Sequence, residues 1–187
     1  MKNGKKIVAS YTEVPKLSKK YRKQKKKIVL TSGSFDMLHI GHCRYLCEAK
    51  KYGDILFVGI DSDEKIRTRK GPDRPVVPED ERMEMLTYIA DVDHVVLKKL
   101  SEPKWELIKL IRPDVLIATA DTYTPAEKKQ LLEFCGKVVV LRRKATTSTS
   151  AKIRLVQIGA EKRVTKTISN RLIQTIEQIL EELKDET

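Results

Sequence analysis

The chain is poor in cysteine, in aromatic residues and in long apolar runs. It has three cysteines in 187 residues, Cys43, Cys47 and Cys135. This small odd number, without paired spacing, favours reduced thiols in a cytoplasmic protein over a disulfide framework. No apolar run approaches the roughly 20 residues that a membrane span needs, and the basic N-terminus lacks the apolar stretch of a secretory signal. With 40% hydrophobic and 34% charged residues, the composition is that of a globular domain.

Positive charge is concentrated at one end of the chain. Residues 1–27 hold ten lysines and Arg22 against Glu13 alone, so they carry +10 of the net charge of +12. A nucleic-acid-binding fold more often spreads its basic residues over a face, and we therefore expect no obligatory nucleic-acid partner. The segment is either a solvated end or an electrostatic tether to something acidic, such as RNA, lipid headgroups or a protein.

Short apolar runs alternate with amphipathic segments from residue 28 onward. Strands are predicted at 28–30, 55–60, 92–97, 115–118 and 138–141. Helices are predicted at 11–24, 41–52, 79–90, 103–111 and 125–134. Because strands that alternate with helices pair in parallel, we expect an α/β fold of the Rossmann-like type, an open parallel sheet with helices on both faces.

The chain divides into three predicted segments. These are a basic extension with a short helix over 1–27, an α/β domain over 28–160 and an amphipathic helix over 161–187. The apolar stripe of the last segment recurs at spacings of three or four: Val164, Ile168, Leu172, Ile176, Ile179 and Leu183. The stripe either packs on its own domain or pairs with a second copy. Basic residues at its start and acidic residues at its end favour an antiparallel homodimer.

The most informative stretch is the turn after the predicted strand 28–30. Gly33 and Gly41 let the backbone approach a phosphate closely, and the helix that opens at this turn presents unpaired N–H groups and a positive dipole end. His39 and His42 can direct both rings at one triphosphate, where fixed donors stabilise the charge that develops during transfer. An acceptor phosphate is already an anionic nucleophile, so no general base is required. The pattern predicts nucleotidyl transfer with release of pyrophosphate.

This turn resembles the HxGH signature of the cytidylyltransferase-like nucleotidyltransferase superfamily, and it also matches the HIGH box of class I aminoacyl-tRNA synthetases. Residues 28–157 resemble the adenylyltransferase domain of bacterial ADP-heptose synthases and, somewhat less, glycerol-3-phosphate and choline-phosphate cytidylyltransferases. Residues 7–27 are similar to the lead-in helix of the heptose enzymes. The resemblance implies that ATP or CTP donates a nucleoside monophosphate to a phosphorylated small molecule, with Mg²⁺ carried by the triphosphate. We expect ATP and a sugar 1-phosphate. The alternatives are CTP with glycerol-3-phosphate or another alcohol phosphate, and FMN as the acceptor.

The resemblance also assigns roles to residues. The catalytic residues it implies are His39, His42 and Lys70. The nucleotide-binding residues it implies are Gly33, Ser34, Phe35, Gly41, Arg143, Ser148, Thr149 and Ser150. The acceptor-binding or supporting residues it implies are Asp36, Arg82 and Asp121. No protein ligand to a metal is expected. Without the family resemblance, residues 68–73 indicate an exposed basic loop, and Arg82 indicates a surface arginine. For the run of hydroxyls at 148–150, the alternative to phosphate binding is N-capping, which would explain one hydroxyl.

Two departures leave the substrate open. Residues 118–123 lack the Gly-Gly-Asp or Gly-Asp-Asp that the family often has there, and Thr146 stands where a glycine is common. A tRNA-ligase relative is disfavoured because the chain is too short for an anticodon domain. A catalytically silent RNA-binding or scaffold module is the remaining alternative, and the intact His39, His42 and Lys70 argue against it.

Overall fold

The computed structural model describes residues 6–142, 165, 167–169 and 171–175. The chain divides into two compact units, Met1–Ala145 and Thr146–Thr187. The basic N-terminal segment belongs to the first unit, which also holds the sheet. No helix of the described residues is long and apolar enough to cross a membrane.

Six parallel strands form one sheet in the described part of the chain. They are β1 (Ile7–Val8), β2 (Ile28–Gly33), β3 (Ile55–Asp61), β4 (His94–Lys98), β5 (Val115–Ala118) and β6 (Lys137–Val140). Their order across the sheet is β1-β4-β3-β2-β5-β6. The chain moves outward in one direction from β2 to β4 and in the other from β5 to β6, so a topological switch point lies between β2 and β5. Ligands of open α/β sheets bind at such a point, beyond the carboxyl ends of the strands.

Helices cover both faces of this sheet, as predicted. They are α1 (Val14–Lys23), α2 (Ile40–Lys50), α3 (Asp63–Lys70), α4 (Glu79–Thr87), α5 (Glu106–Ile111) and α6 (Pro125–Leu131). One core cluster joins α2 and α4 to the sheet, and the other joins α1, α5 and α6 to its opposite face. Successive residues of a strand pack on opposite faces of the sheet: Val29 lies in the first cluster and Leu30 in the second. This two-sided burial explains why the strands read as continuous apolar runs.

The N-terminal segment is built into the sheet. Ile7 and Val8 pair in parallel with β4 at the edge of the sheet, although the sequence analysis predicted no regular structure before residue 11. Val14 of α1 is fully buried in the second core cluster, and the Tyr21 hydroxyl lies 2.7 Å from Nε2 of His94. Two strand residues are too few to show an alternating pattern, so the sequence carried no signal for β1.

Helix α3 includes part of segment 68–73, for which the sequence without the family resemblance indicates an exposed loop. Ser62 caps its start by accepting a hydrogen bond from the Lys65 backbone at 3.3 Å, and Gly71, with φ of 97°, ends it. Within the helix only Ile66 is buried. One apolar residue gives no helical period, and for this reason the pattern was not visible. Lys70 is therefore the last residue of a helix.

The predicted C-terminal helix is described only in part. Residues 165, 167–169 and 171–175 are helical. The two stripe residues among them, Ile168 and Leu172, are each 61% exposed. The other four predicted stripe residues, Val164, Ile176, Ile179 and Leu183, lie outside the described residues.

Candidate active site

The carboxyl ends of β2, β3, β4 and β5 lie at one edge of the sheet because these strands are parallel. At that edge Asp61 of β3 lies opposite Lys98 of β4. On the other side of β2, Thr31 Oγ1 donates a hydrogen bond to the Ile117 carbonyl of β5 at 3.2 Å. The turn after β2 thus lies next to the switch point, where a ligand of this fold binds.

His39 is the N-cap of α2. Its backbone is extended, and its Nδ1 accepts a hydrogen bond from the Gly41 backbone N–H at 3.0 Å. A neutral imidazole that accepts at Nδ1 carries its proton on Nε2. His39 therefore adds a side-chain N–H donor to the backbone donors at the start of α2, and Gly41 serves the cap.

His42 lies against His39, and the two ring centroids are 4.0 Å apart. Burial lowers the pKa of His42 to about 4, with the charges of His39 and Lys70 acting in the same direction and that of Asp36 opposing them. His42 is therefore neutral near pH 7. Its Nδ1 is buried and has no hydrogen-bond partner among the residues that the structure describes, a costly state for a polar atom.

Gly33 and Phe35 shape the turn between β2 and α2. Phe35 adopts a φ of 44°, unusual for a residue with a side chain, and its ring is only 5% exposed. A β-carbon at Gly33 would lie 3.1 Å from Cε2 of this ring. Packing against Phe35 thus favours glycine here, in addition to any approach of a phosphate. A buried ring leaves Phe35 only its backbone for binding a nucleotide.

Asp36 is buried and supports the loop that joins α3 to α4. Its Oδ2 accepts hydrogen bonds from the Arg74 guanidinium at 2.6 and 2.7 Å, and its Oδ1 accepts from the backbone N–H groups of Val76 and Val77 at 2.9 and 3.1 Å. A carboxylate with four such bonds has little capacity left for an acceptor. Of the two predicted roles of Asp36, the geometry favours the supporting one.

Arg82 is fully buried, so its interpretation as a surface arginine is wrong. Its guanidinium donates to the Val77 carbonyl at 2.8 Å, to the Ser34 carbonyl at 2.5 Å and to the Asp61 carbonyl at 3.0 Å. It also forms an ion pair with Asp63 at 2.6 Å. These partners belong to the loop before α4, the turn after β2, the end of β3 and the start of α3. Arg82 is therefore a positioning residue, which touches the walls of the site and not a ligand.

Lys70, at the end of α3, lies close enough to influence the histidine pair. Partial desolvation lowers the pKa of Lys70, and the charges of Arg69 and Arg74 lower it further. Its own charge is one of the causes that lower the pKa of His42. The structure thus places Lys70 within electrostatic range of His42, which lies against His39.

Asp61 is a buried carboxylate that sequence reasoning did not assign to the site. It accepts from Lys98 Nζ at 3.0 Å and from Arg69 Nη2 at 2.9 Å, and the same Nη2 donates to Ser34 Oγ at 2.8 Å. Burial raises the pKa of the Asp61 carboxyl, but the charges and hydrogen bonds of Lys98 and Arg69 outweigh burial and hold it below its usual range. The sequence does contain a signal for this ion pair: an acidic residue ends one buried strand and a basic residue ends another.

Other predicted site residues are described less fully. Asp121 is exposed in the turn after β5, where the hydroxyls of Thr119 and Thr122 lie 2.9 Å apart. Arg143, Ser148, Thr149 and Ser150 lie outside the described residues. Within the described ranges, no group of three or more histidine, cysteine, aspartate or glutamate side chains could hold a metal ion.

A family model described as cytidylyltransferase-like matches residues 30–182. The chain therefore belongs to the cytidylyltransferase-like family, and the predicted enzyme class, a nucleotidyltransferase, is confirmed.

Curated relatives in bacteria bear the name Bifunctional protein HldE. The relative from Nitratiruptor sp. is 41% identical over 115 residues, which are 62% of this chain and 25% of the relative. The relative from Sulfurimonas denitrificans is 36% identical over 161 residues, which are 86% of this chain and 30% of the relative. The chain thus spans about a quarter to a third of the length of these relatives.

Two solved structures share the fold. A lipopolysaccharide core biosynthesis protein from Thermoplasma volcanium superposes with a TM-score of 0.56 at 28% identity, covering 65% of this chain and 99% of that one. Pantoate-beta-alanine ligase from Francisella tularensis superposes with a TM-score of 0.55 at 17% identity, covering 77% of this chain and 68% of that one. At this low identity the second likeness shows the fold alone.

We expect Arg82→Met to lower the free energy of unfolding by about 3 kcal/mol, because it leaves the Asp63 carboxylate and three carbonyl groups, two of them buried, without their donor. Chemical denaturation measures the loss. Arg67→Met is the matched control: Arg67 is exposed on α3, and its replacement should change stability by less than about 0.5 kcal/mol. Equal midpoints for the two variants would contradict the structural role of Arg82.

The lowered pKa of His42 predicts how stability depends on pH. Between about pH 6.5 and pH 4 the unfolded chain binds a proton at His42 that the folded chain does not. The free energy of unfolding should therefore decrease as pH falls through this window, with a contribution from His42 on the order of 2 kcal/mol. His42→Gln, which cannot take up this proton, should show a shallower decrease in urea unfolding measured across the window. An unchanged slope would mean that His42 titrates normally in the folded protein.

Proposed function

We propose that this chain is an adenylyltransferase that moves AMP from ATP to a sugar 1-phosphate and releases pyrophosphate. The observation that carries the proposal is the pair of imidazoles at the start of α2, with His39 acting as a cap and His42 held neutral by burial. Two N–H donors and a helix N-terminus at one point suit the oxygens around a phosphorus atom that is being attacked.

The proposed step needs no general base. An oxygen of the acceptor phosphate forms a bond to the α-phosphorus of ATP, and the bond from this phosphorus to the bridging oxygen of the β-phosphate breaks. His39 and His42 would stabilise the charge on the α-phosphate oxygens, while Lys70 would neutralise charge that moves onto the departing pyrophosphate. Neutral imidazoles retain their N–H donors across this step, which suits stabilisation by hydrogen bonding.

The choice of ATP and a sugar phosphate rests on the similar proteins. The curated relatives are of the ADP-heptose synthase type that the sequence resembles, and a similar solved structure is named for lipopolysaccharide core biosynthesis. A screen of the four nucleoside triphosphates against sugar 1-phosphates, glycerol-3-phosphate and FMN tests it, with pyrophosphate release as the readout. Turnover with CTP and glycerol-3-phosphate alone would replace this proposal by the alternative.

Magnesium is proposed to arrive with the triphosphate. A protein cage for Mg²⁺ would need several carboxylate or carbonyl ligands in octahedral geometry, whereas nucleotide enzymes commonly bind the ion through the substrate phosphates. Lys70 and the two histidines supply donors and positive charge to the triphosphate, so this part of the site suits phosphate better than a bare cation.

We expect His42→Ala and His39→Ala each to lower kcat at least about a hundredfold, which corresponds to about 3 kcal/mol of transition-state stabilisation. The measurement is steady-state pyrophosphate release with saturating ATP and acceptor. His94→Gln is a suitable control, because His94 begins β4 and thus lies at the opposite edge of the sheet. Near-normal turnover of His42→Ala would refute the assignment of the site.

We also propose that the chain forms a homodimer through residues 161–187. The exposed Ile168 and Leu172 support this, since the apolar stripe to which they belong needs a cover. Light scattering at tens of micromolar should give a dimer for the full chain and a monomer for a version ending at Ala160. Monomers in both cases would exclude the helix as the dimer element.

A further inference from the structure

Three basic side chains surround the buried carboxylate of Asp61 beside the proposed active site. Lys98 and Arg69 each bond to one of its oxygens, at 3.0 and 2.9 Å, and Lys65 is close enough for the charges of Asp61, Lys98 and Arg69 to shift its pKa. We call Lys65, Arg69 and Lys98 the basic cluster. It lies at the carboxyl edge of β3 and β4.

The two α3 residues of the basic cluster, Lys65 and Arg69, lie on a different side of this helix from Lys70. Lys65 and Arg69 are four residues apart on α3 and so share one side of that helix, whereas Lys70 follows Arg69 by about 100° around the axis. The charges of Lys98 and Glu102 affect the pKa of Lys65 but not that of Lys70, whereas the charges of Asp61 and Arg69 affect both. Lys70 in turn influences His42. Lys65 and Lys70 therefore lie on different sides of α3, and the charge of Arg69 affects the pKa of both.

The cluster has more positive charge than Asp61 requires. Two cations already bond to the two oxygens of this carboxylate, and they suffice to keep it ionised. Lys65 is half-buried, yet its ammonium group makes no hydrogen bond or ion pair with any described residue. Burial lowers the pKa of Lys65, the charges of Lys98 and Arg69 lower it further, and those of Asp61 and Glu102 oppose the shift. The donors of the Lys65 ammonium group are therefore open to an anionic ligand.

Arg69 has donors to spare as well. The two bonds that the structure gives its guanidinium, to Asp61 and to Ser34, both use Nη2. Its side chain is 55% exposed. Among the described residues, Nη1 and Nε have no hydrogen-bond acceptor. Asp61 and Ser34 thus hold the guanidinium in place while part of its donor edge is open to an anion.

From this geometry we propose that the acceptor carries a second anionic group, remote from the reacting phosphate, which binds to Lys65 and Arg69. The proposal rests on the proposed nucleotidyl transfer and narrows the acceptor to sugar phosphates with a further phosphate or carboxylate. The second group takes no part in bond making or breaking. Its contribution is to orient the acceptor so that the reacting phosphate points at the histidine pair.

Calorimetric binding in the presence of a non-hydrolysable ATP analogue tests the proposal without requiring turnover. The probes are glucose 1-phosphate, glucose 1,6-bisphosphate and glucuronic acid 1-phosphate. We expect the wild-type chain to bind at least one of the two probes with a second anionic group about tenfold or more tightly than glucose 1-phosphate. Whichever of them binds more tightly shows whether a phosphate or a carboxylate occupies the cluster.

Two substitutions on α3 make the test specific. Lys65→Gln should abolish the advantage of the second anionic group. Arg67→Gln, on the same helix but exposed and without a side-chain bond to the described residues, should keep it. Equal affinity for all three probes in the wild-type chain, or an advantage that survives Lys65→Gln, overturns the proposal.

Pyrophosphate release separates this inference from the proposed function. If no acceptor supports release but the advantage of the second anion persists in binding, the basic cluster stands and the proposed reaction fails. If release occurs and Lys65→Gln raises KM for ATP instead of KM for the acceptor, the cluster serves the triphosphate and the inference is wrong.

Discussion

The buried guanidinium of Arg82 holds together the segments that form the candidate site. A cation without access to water must have all its donors satisfied inside the protein, and here the acceptors come from the turn after β2, the end of β3, the start of α3 and the loop before α4. Those segments in turn carry or adjoin Ser34, Lys70 and the histidine pair. Arg82 therefore sets the shape of the site without reaching its ligand.

Buried carboxylates, each bonded to basic side chains, surround this framework. Asp36 and Asp61 are both nearly inaccessible, and each is neutralised by bonds from basic side chains, Arg74 for the first and Arg69 with Lys98 for the second. The buried carboxylates thereby hold these cations in place. A site of this kind is electrostatically prepared for polyanionic ligands before they bind, which limits the reorganisation needed during the reaction.

The basic N-terminal segment has a structural role that its charge does not suggest. Ile7 and Val8 extend the sheet beside β4, and Val14 completes one face of the core. The apolar side of α1 is thus occupied by the domain, and lysines such as Lys19 and Lys23 remain on its exposed side. Five of the eleven basic residues of this segment lie on α1: Lys16, Lys19, Lys20, Arg22 and Lys23.

Local sequence alone determined the α/β class, most strand and helix positions and the HxGH turn. Each of these depends on neighbouring residues: two-sided burial makes β3 a continuous apolar run, and His39 caps the helix that begins one residue later. Tertiary structure decided what arises between distant residues. Arg82 became buried through contacts such as that with Ser34, 48 positions away, and Asp61 joined Lys98 only because β3 and β4 are adjacent. Helix α3 and strand β1 are likewise stabilised by packing and pairing with remote segments, because neither has enough apolar residues for a periodic pattern.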